Sequence, residues 1–392
     1  MTSPDGPREV HGSLMRYGSR PLVVAPGRFR VQVFRTLDDH RWAMAVICGD
    51  VTSPRPLLSR VHSSCVTSET LGGCDCDCVQ QLEGALDAIA REGRGVLFYL
   101  LQEGRGAGLV AKARDRMLVQ ASEHRLTTFE AYELLGLAPD CRRYEVVSGM
   151  CELLGIEAPL ELLTNNPEKV ERLEQAKVRI SEARPLRIER SAASLHYLNS
   201  KEQKGHGLGV ARKDLCMAPL PEKVHWHDPV EVAGGALLRM ASYLLPVDAG
   251  GDIGLIWLRL SLYIDALARR ERVVLEYSSG LDVEPYVAFA PDSLLARFDG
   301  GVGSWRQRWK DCVRGFVRHG AGIAVFLPGR LGASRPGDFD PASVRLLVHH
   351  LAGRRPLLGS VGAGPECDRE AHRVLTEAGM DFSSEPGVEG AW

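Results

Sequence analysis

The sequence predicts a mixed α/β fold of layered helices and sheet, followed by a second α/β domain with the marks of a degenerate repeat. Three observations carry that expectation. The chain has 392 residues, enough for two cores of ordinary size. Runs of strand character alternate with runs of helical spacing. Two distant stretches also read alike: CVQQLEGALDAIAREGRGVLFYLLQEGR, ending at Arg105, and WRQRWKDCVRGFVRHGAGIAVFLPGR, ending at Arg330. Each runs helix, His/Glu-Gly-x-Gly, apolar strand, Gly-Arg. Any helix–turn–strand unit shares part of that pattern, so repeat and coincidence both stand at this point.

Residues 1–20 are polar, carry Pro and Gly, and predict a loose start. Between Arg28 and Asp50, FRVQVF alternates and WAMAVICG is almost continuously apolar, which predicts paired strands. RVHSSCV predicts a strand that leads into a group of cysteines. Leu82–Glu92 has helical spacing and stops at Gly93. GVLFYLL predicts a buried strand and QEGRGAGL a glycine-rich turn. Helices follow over Leu109–His124 and Tyr144–Leu154. LELLT at 160–164 predicts a strand opening into a helix capped by Asn165 or Asn166. Residues 21–206 then form the first domain, 207–225 a Gly-, Pro- and Lys-rich linker, and 226–392 the second domain.

Composition excludes several classes. Hydrophobic residues make up 44% and charged residues 25%, as in ordinary globular chains. A net charge of -2 argues against a general nucleic-acid binder, which needs a dominant basic face. No run reaches the roughly 20 apolar residues of a membrane helix. MTSPDGPREVHGSLMRYGSRP has no apolar stretch of signal-peptide length, so the expected compartment is the cytoplasm.

Of the ten cysteines, Cys48, Cys141, Cys151, Cys216, Cys312 and Cys367 are scattered and read as small apolar residues. Cys65, Cys74, Cys76 and Cys78 are crowded, and in a reducing compartment crowding points to metal before disulfides. The pattern Cys65-x10-Cys76-x-Cys78 offers three soft thiolates suited to zinc, with a fourth position open to water. Bound zinc lowers the pKa of such a water towards about 7. A closed four-cysteine site including Cys74, or no metal, are the other readings.

RVHSSC, CDCxxQLE, LLQEGRGAGL, LLGLAPDCRRY, LLTNNPEKV and HYLNSKEQKGH occur in that order, and through them residues 25–206 resemble the GTP cyclohydrolase II family. The resemblance implies a zinc enzyme that opens the imidazole ring of GTP at the start of riboflavin synthesis. It implies zinc ligands at Cys65, Cys76 and Cys78. It implies nucleotide contacts at Arg60, His62, Ser63, Gln81, Glu103, Gly104, Arg105, Thr128, Thr164 and Lys169, with magnesium on the phosphates. Arginine and lysine suit phosphate oxygens, and Gly104 lets backbone approach a ligand. Asp140 and Arg142 match the family's proposed base and nucleophile. A charge-clamp role for Arg142 stands beside the nucleophile, because guanidinium is normally fully protonated. The family is often dimeric, so either a homodimer or an internal pseudo-dimer is expected.

The chain also departs from the family. The catalytic tyrosine expected in the helix after QEGR is missing from LVAKARDRMLVQASEHR, its place falling on Arg116 or within Met117–Val119. Ser64 replaces the usual glutamate before the first cysteine, Ser68-Glu69 a Gly-Asp, and Asp75 and Asp77 flank the ligands. Such changes suit a diverged paralogue of a specialised or secondary pathway. The readings that follow are a GTP hydrolase stopping at the formylated ring-opened product, a same-fold hydrolase of another nucleotide, or a zinc- and nucleotide-binding protein without turnover.

Overall fold

A computed structural model of the chain describes residues 9–24, 26–186, 188, 219–232, 237–266, 270–291, 297–298, 304–327, 341–351, 357–358, 373, 376, 379 and 383–384. HYLNSKEQKGH, the linker up to residue 218, Cys216, Arg330 and Cys367 lie outside the described residues. The chain divides into two compact units. The first comprises Met1–Cys65, Cys76–Leu109 and Gly136–Met217, and the second Val66–Asp75, Val110–Leu135 and Ala218–Trp392. The division therefore differs from the linear one expected from the sequence: two pieces of the first half belong to the second unit.

The first unit is built on strands β1 (Glu9–His11), β2 (Leu14–Val24), β3 (Gly27–Thr36), β4 (Trp42–Cys48), β5 (Leu57–Ser63), β6 (Gly95–Leu100), β7 (Leu160–Leu163) and β8 (Ile180–Arg184). They lie in the order β1-β2-β3-β4-β6-β5-β7-β8. β1 to β4 and β6 pair antiparallel, and β6, β5, β7 and β8 pair parallel. The parallel steps pass through helices α2 (Cys78–Glu92), α5 (Glu145–Leu154) and α6 (Pro167–Gln175). α2 starts four residues before the expected Leu82 and ends in a left-handed Gly93 cap. Asn166 caps α6 by accepting from Glu168 N. Phe34, Val61 and Phe98 of the sheet pack with Val147 and Met150 of α5 and Leu173 of α6. The N-terminus corrects the expectation of a loose start: Glu9–Val24 forms two strands. Their sequence looked loop-like because the ribbon is largely exposed and needs few apolar residues.

The second unit carries β9 (Val230–Val232), β10 (Leu237–Asp248), β11 (Leu255–Asp265), β12 (Arg270–Ser278), β13 (Tyr286–Pro291), β14 (Ala321–Leu327), β15 (Leu357–Leu358) and β16 (Ser383–Ser384). Their order is β16-β15-β13-β14-β12-β11-β10-β9. Strand for strand this is the first sheet again. β9 to β12 and β14 pair antiparallel, and β14, β13, β15 and β16 pair parallel. α7 (Trp305–His319) joins β13 to β14 as α2 joins β5 to β6; both helices have 15 residues and end in a left-handed glycine. α8 (Pro341–Leu351) falls between β14 and β15 as α5 falls between β6 and β7, and its Leu346, Leu347 and Leu351 pack on Tyr263 and Val274.

The borrowed segments explain themselves through β10. β9 pairs with Leu237–Arg239, so among the described residues the polar groups of 240–248 on that side face no strand of the sheet. α3 (Leu109–Ala121) and the segment 66–75, which holds α1 (Val66–Glu69), meet them. Arg114 donates to Met240 O at 3.0 Å, and Ser242 N donates to Met117 Sδ at 3.4 Å. Gln120 accepts from Leu244 N at 2.8 Å and donates to Leu244 O at 2.7 Å. Residues 114, 117 and 120 form one stripe at helical spacing. Beyond them Cys74 N donates to Pro246 O at 2.9 Å, and Gly73 forms a β-bridge with Val247. Pro246 has no N–H, which suits an edge. Gly73 is required there: a Cβ would lie 2.7 Å from Leu245 and 2.8 Å from Thr67 O. The indoles of α7 complete the hold, Trp305 donating to Thr70 O at 3.0 Å and Trp309 to Leu71 O at 2.8 Å. α3 ends at Ala121, short of the expected His124, as Glu123 and His124 turn to positive φ.

Gln120→Leu leaves both polar groups of Leu244 unmet while filling a similar volume. Its expected effect is a loss of about 2 kcal/mol in stability, measured by urea unfolding.

Candidate functional site

Three cysteine sulfurs of the first unit converge. Cys65 stands just past the end of β5, Cys76 on the chain entering α2, and Cys78 at the first residue of that helix. Their Sγ atoms all lie within 4.8 Å of one another, with Cys65 and Cys76 at 3.6 Å. Tetrahedral zinc with Zn–S bonds of about 2.3 Å sets sulfurs roughly 3.8 Å apart, so the residues fit that ion. As free thiols they crowd each other: hydrogen bonding to Cys65 and Cys76, then burial, pushes the Cys78 thiol well above its ordinary value. A divalent cation is what allows such a group to ionise together. Cys74 stands apart from this cluster. Its Sγ faces Pro246 O at 3.4 Å in the second unit, and burial, then the charge of Asp75, pushes its thiol up to about 12.

Behind the cysteines the polar groups form a braced network. Arg60, on β5, is 4% exposed, and burial pulls its guanidinium down to about 10 although Asp77 and Cys78 act to raise it. It donates to Leu163 O at 2.7 Å and to Gln81 Oε1, and Gln81 Nε2 donates to Asp77 Oδ2 at 2.7 Å. Arg60 and Gln81, expected as nucleotide contacts, thus tie β5 to β7 and to the start of α2 in this conformation. Lys169 likewise donates to Val61 O at 2.9 Å. His62 is buried and stacks on Tyr99, with ring centroids 5.7 Å apart. Ser63 accepts from Gln102 at 3.2 Å, and Gln102 accepts from Arg143 N at 2.9 Å. Thr164 accepts from Asn166 N at 3.2 Å.

The two glycine- and arginine-bearing loops are laced together. Glu103 caps a 3-10 turn over Gly104–Gly106, and Arg105 within it takes φ 52° and ψ 35°, a left-handed backbone that is unusual for a side-chain-bearing residue and common at functional sites. Cys141 N donates to Arg105 O at 2.9 Å. Gly106, at φ +85°, lies so close that a Cβ would meet Cys141 O at 2.6 Å. This seam brings Glu103, Gly104 and Arg105 beside Asp140 and Arg142. Arg142 Nε contacts both Asp140 carboxylate oxygens, at 3.0 and 2.9 Å, and Nη2 contacts Oδ2. Arg172 adds a second cation, 3.5 Å from Asp140 Oδ1. Burial would raise the Asp140 carboxyl, but the hydrogen bonds and charge of Arg142, with Arg172, hold it below its ordinary value.

Sequence reasoning missed Tyr144 and Arg172. Tyr144 is 2% exposed, its hydroxyl has no hydrogen-bond partner, and the cations of Arg142, Lys169 and Arg172 lie 6.0, 6.0 and 5.1 Å from its ring. The RRY that follows Asp140 was the available signal. Thr128 is the one expected contact in the second unit, buried at the start of α4 (Thr128–Leu134). Arg116 and Met117–Val119, among which the place of the family's tyrosine was expected, also belong there. Arg116 is the charged one of them. It forms a buried ion pair with Asp75, Nε to Oδ2 at 2.9 Å.

A family model described as GTP cyclohydrolase II matches residues 16–185. A protein of Escherichia fergusonii named GTP cyclohydrolase-2 is 42% identical over 197 residues, which is 50% of this chain and 98% of that protein. One from Yersinia pseudotuberculosis with the same name is 44% identical over 194 residues, 49% of this chain and 97% of that protein. The riboflavin biosynthesis protein RibBA of Chlorobium phaeovibrioides is 42% identical over 186 residues, 47% of this chain and 44% of its own length.

Two outcomes follow from the laced loops. Gly106→Ala forces backbone apart at a positive φ and should destabilise the protein by about 1–3 kcal/mol in thermal or urea unfolding. Asp140 is charged more readily folded than unfolded, so its contribution is full above its unfolded value of 3.8 and is lost as pH falls through the lower folded value. The stability gap between the parent protein and Asp140→Asn should therefore be constant at neutral pH and close in acid, read by unfolding at stepped pH.

Proposed function

Because the chain belongs to the GTP cyclohydrolase II family, we propose that it is a zinc-dependent hydrolase that opens the imidazole ring of GTP. The observation that carries this reading is the convergence of the Cys65, Cys76 and Cys78 sulfurs within the family-matching region. Those three thiolates would hold the ion, which when bound supplies Lewis-acid activation of water near neutral pH. The protein's own groups do the rest. Arg105, Arg142 and Arg172 supply positive charge for the nucleotide phosphates, which would enter with magnesium. Arg142 is held between carboxylate oxygens and stays protonated, which favours a fixed charge stabiliser over a nucleophile. Asp140, kept ionised by the same pair, orients it. Glu103, Gln81, His62, Ser63 and Thr164 line the reading as contacts to the base and sugar, those now holding internal partners exchanging them for the ligand.

We further propose that the reaction stops at the formylated ring-opened product. The family's tyrosine would support the second hydrolytic step, and its expected place, Arg116 or a residue of Met117–Val119, holds no tyrosine, Arg116 itself being committed to an ion pair with Asp75. The second unit we read as a copy without metal. It repeats the strand order of the first, and the helix start that carries Cys78 in one carries Trp305 in the other. Such a chain would act as its own pair, with one zinc ion and the molar mass of a single chain in solution.

Mass analysis of the product from GTP tests these readings together. The expected product retains the formyl carbon; stoichiometric free formate with a diaminopyrimidine would sink that part alone. Cys76→Ala should lose bound zinc and lower turnover by about a hundredfold or more. Zinc bound without consumption of any nucleotide would overturn the hydrolase reading in favour of a nucleotide-binding protein, and consumption of another nucleotide but not GTP would favour a same-fold hydrolase of that nucleotide.

A further inference from the structure

A cleft of about 430 Å³ opens in the second unit, on the sheet face where α8 packs. Its floor is three adjacent strands. Ser242 of β10 stands opposite Ser261 of β11, and Arg259 of β11 opposite Glu276 of β12, so these four side chains share one face. Arg239 joins them through a bulge. Residues 239 and 242 of a regular strand point to opposite faces. The register shift between Arg239 and Ala241 inserts one extra residue and sets Arg239 opposite Tyr263, on the cleft face. Lys223, His225 and His227 form one wall, and His349 and His350, in the last turn of α8, form another.

The lining is a set of donors. Lys223, Arg239 and Arg259 bring cationic groups, whereas among the described lining residues Glu276 is the single carboxylate and is already held by His350 Nδ1 at 2.9 Å. Arg259 also reaches Glu222, and Ser242 Oγ at 3.4 Å. Arg239 Nε and His227 Nε2 are shielded from solvent without a hydrogen-bond partner. Burial, then His350 and Arg239, hold His349 below its ordinary value, as a cation-rich surrounding does. The same face nearby is apolar, with Leu237, Val274 and Val287 under α8. Guanidinium, imidazole and hydroxyl groups gathered on the floor of a cleft are costly without an acceptor-rich partner. A phosphate group, with several anionic oxygens, meets a fork of arginines and two hydroxyls at once. The volume lies in the range of small-molecule sites.

We propose that this cleft is a second binding site, separate from the cysteine centre, for a small molecule bearing a phosphate or pyrophosphate group. The proposal does not depend on the GTP reading, because none of its residues belongs to the first unit.

Titration calorimetry of the full chain with inorganic pyrophosphate tests it, comparing the parent protein with Arg259→Gln, Lys223→Gln and Arg142→Gln. Arg259→Gln should weaken one binding event about tenfold or more, and Lys223→Gln, at an exposed position that leaves folding alone, by a smaller factor. Arg142→Gln should leave that event unchanged, since it alters only the first unit. The proposal is overturned if the parent protein does not bind pyrophosphate at millimolar concentration. It is equally overturned if Arg142→Gln removes all binding while the cleft variants bind as the parent does.

Discussion

The free edge of β10 is the constraint on which the second unit depends. A strand flanked on one side by only three residues of partner must have its remaining N–H and C=O groups met from elsewhere. Here they are met by a helix stripe and by the ten residues between Cys65 and Cys76. That choice draws 66–75 and 110–135 into the second unit. It also means that the segment joining two of the clustered cysteines is anchored at Thr70, Leu71, Gly73 and Cys74.

The same anchored segment carries an ion pair with the helix beside it. Arg116 sits on α3 between the residues that serve β10, and it neutralises Asp75 inside the anchored segment. Enclosing either charge alone would be costly, and the ion pair between them offsets that cost.

The two sheets show how far one topology can diverge in function. In the first unit the loops after β5 and β6 converge on cysteines, Asp140 and Arg142. In the second, the start of the equivalent helix holds indoles that bind backbone, and the polar investment has moved to the face under α8. A sheet order tolerates this because its pairing is made by backbone, leaving side chains on each face open to other uses.

Much of the first unit was legible in the sequence. The strands from Gly27 to Ser63, the α2 stop at Gly93 and the Asn166 cap follow from alternation, helical spacing and capping chemistry, which act over a few residues. The crowding of Cys65, Cys76 and Cys78 was legible for the same reason, and so was the likeness of α7 to α2, whereas the ion pair of Asp140 with Arg142 appears only in the structure. The strands at Glu9–Val24 were not, because an exposed ribbon needs no apolar alternation. Nor were the inward turn of Arg60, the buried Tyr144, the bulge that aims Arg239, or the passage of 66–75 and 110–135 into the second unit. Those were decided by tertiary structure alone, since each depends on which distant backbone group lies within hydrogen-bond reach, and local sequence carries no record of that.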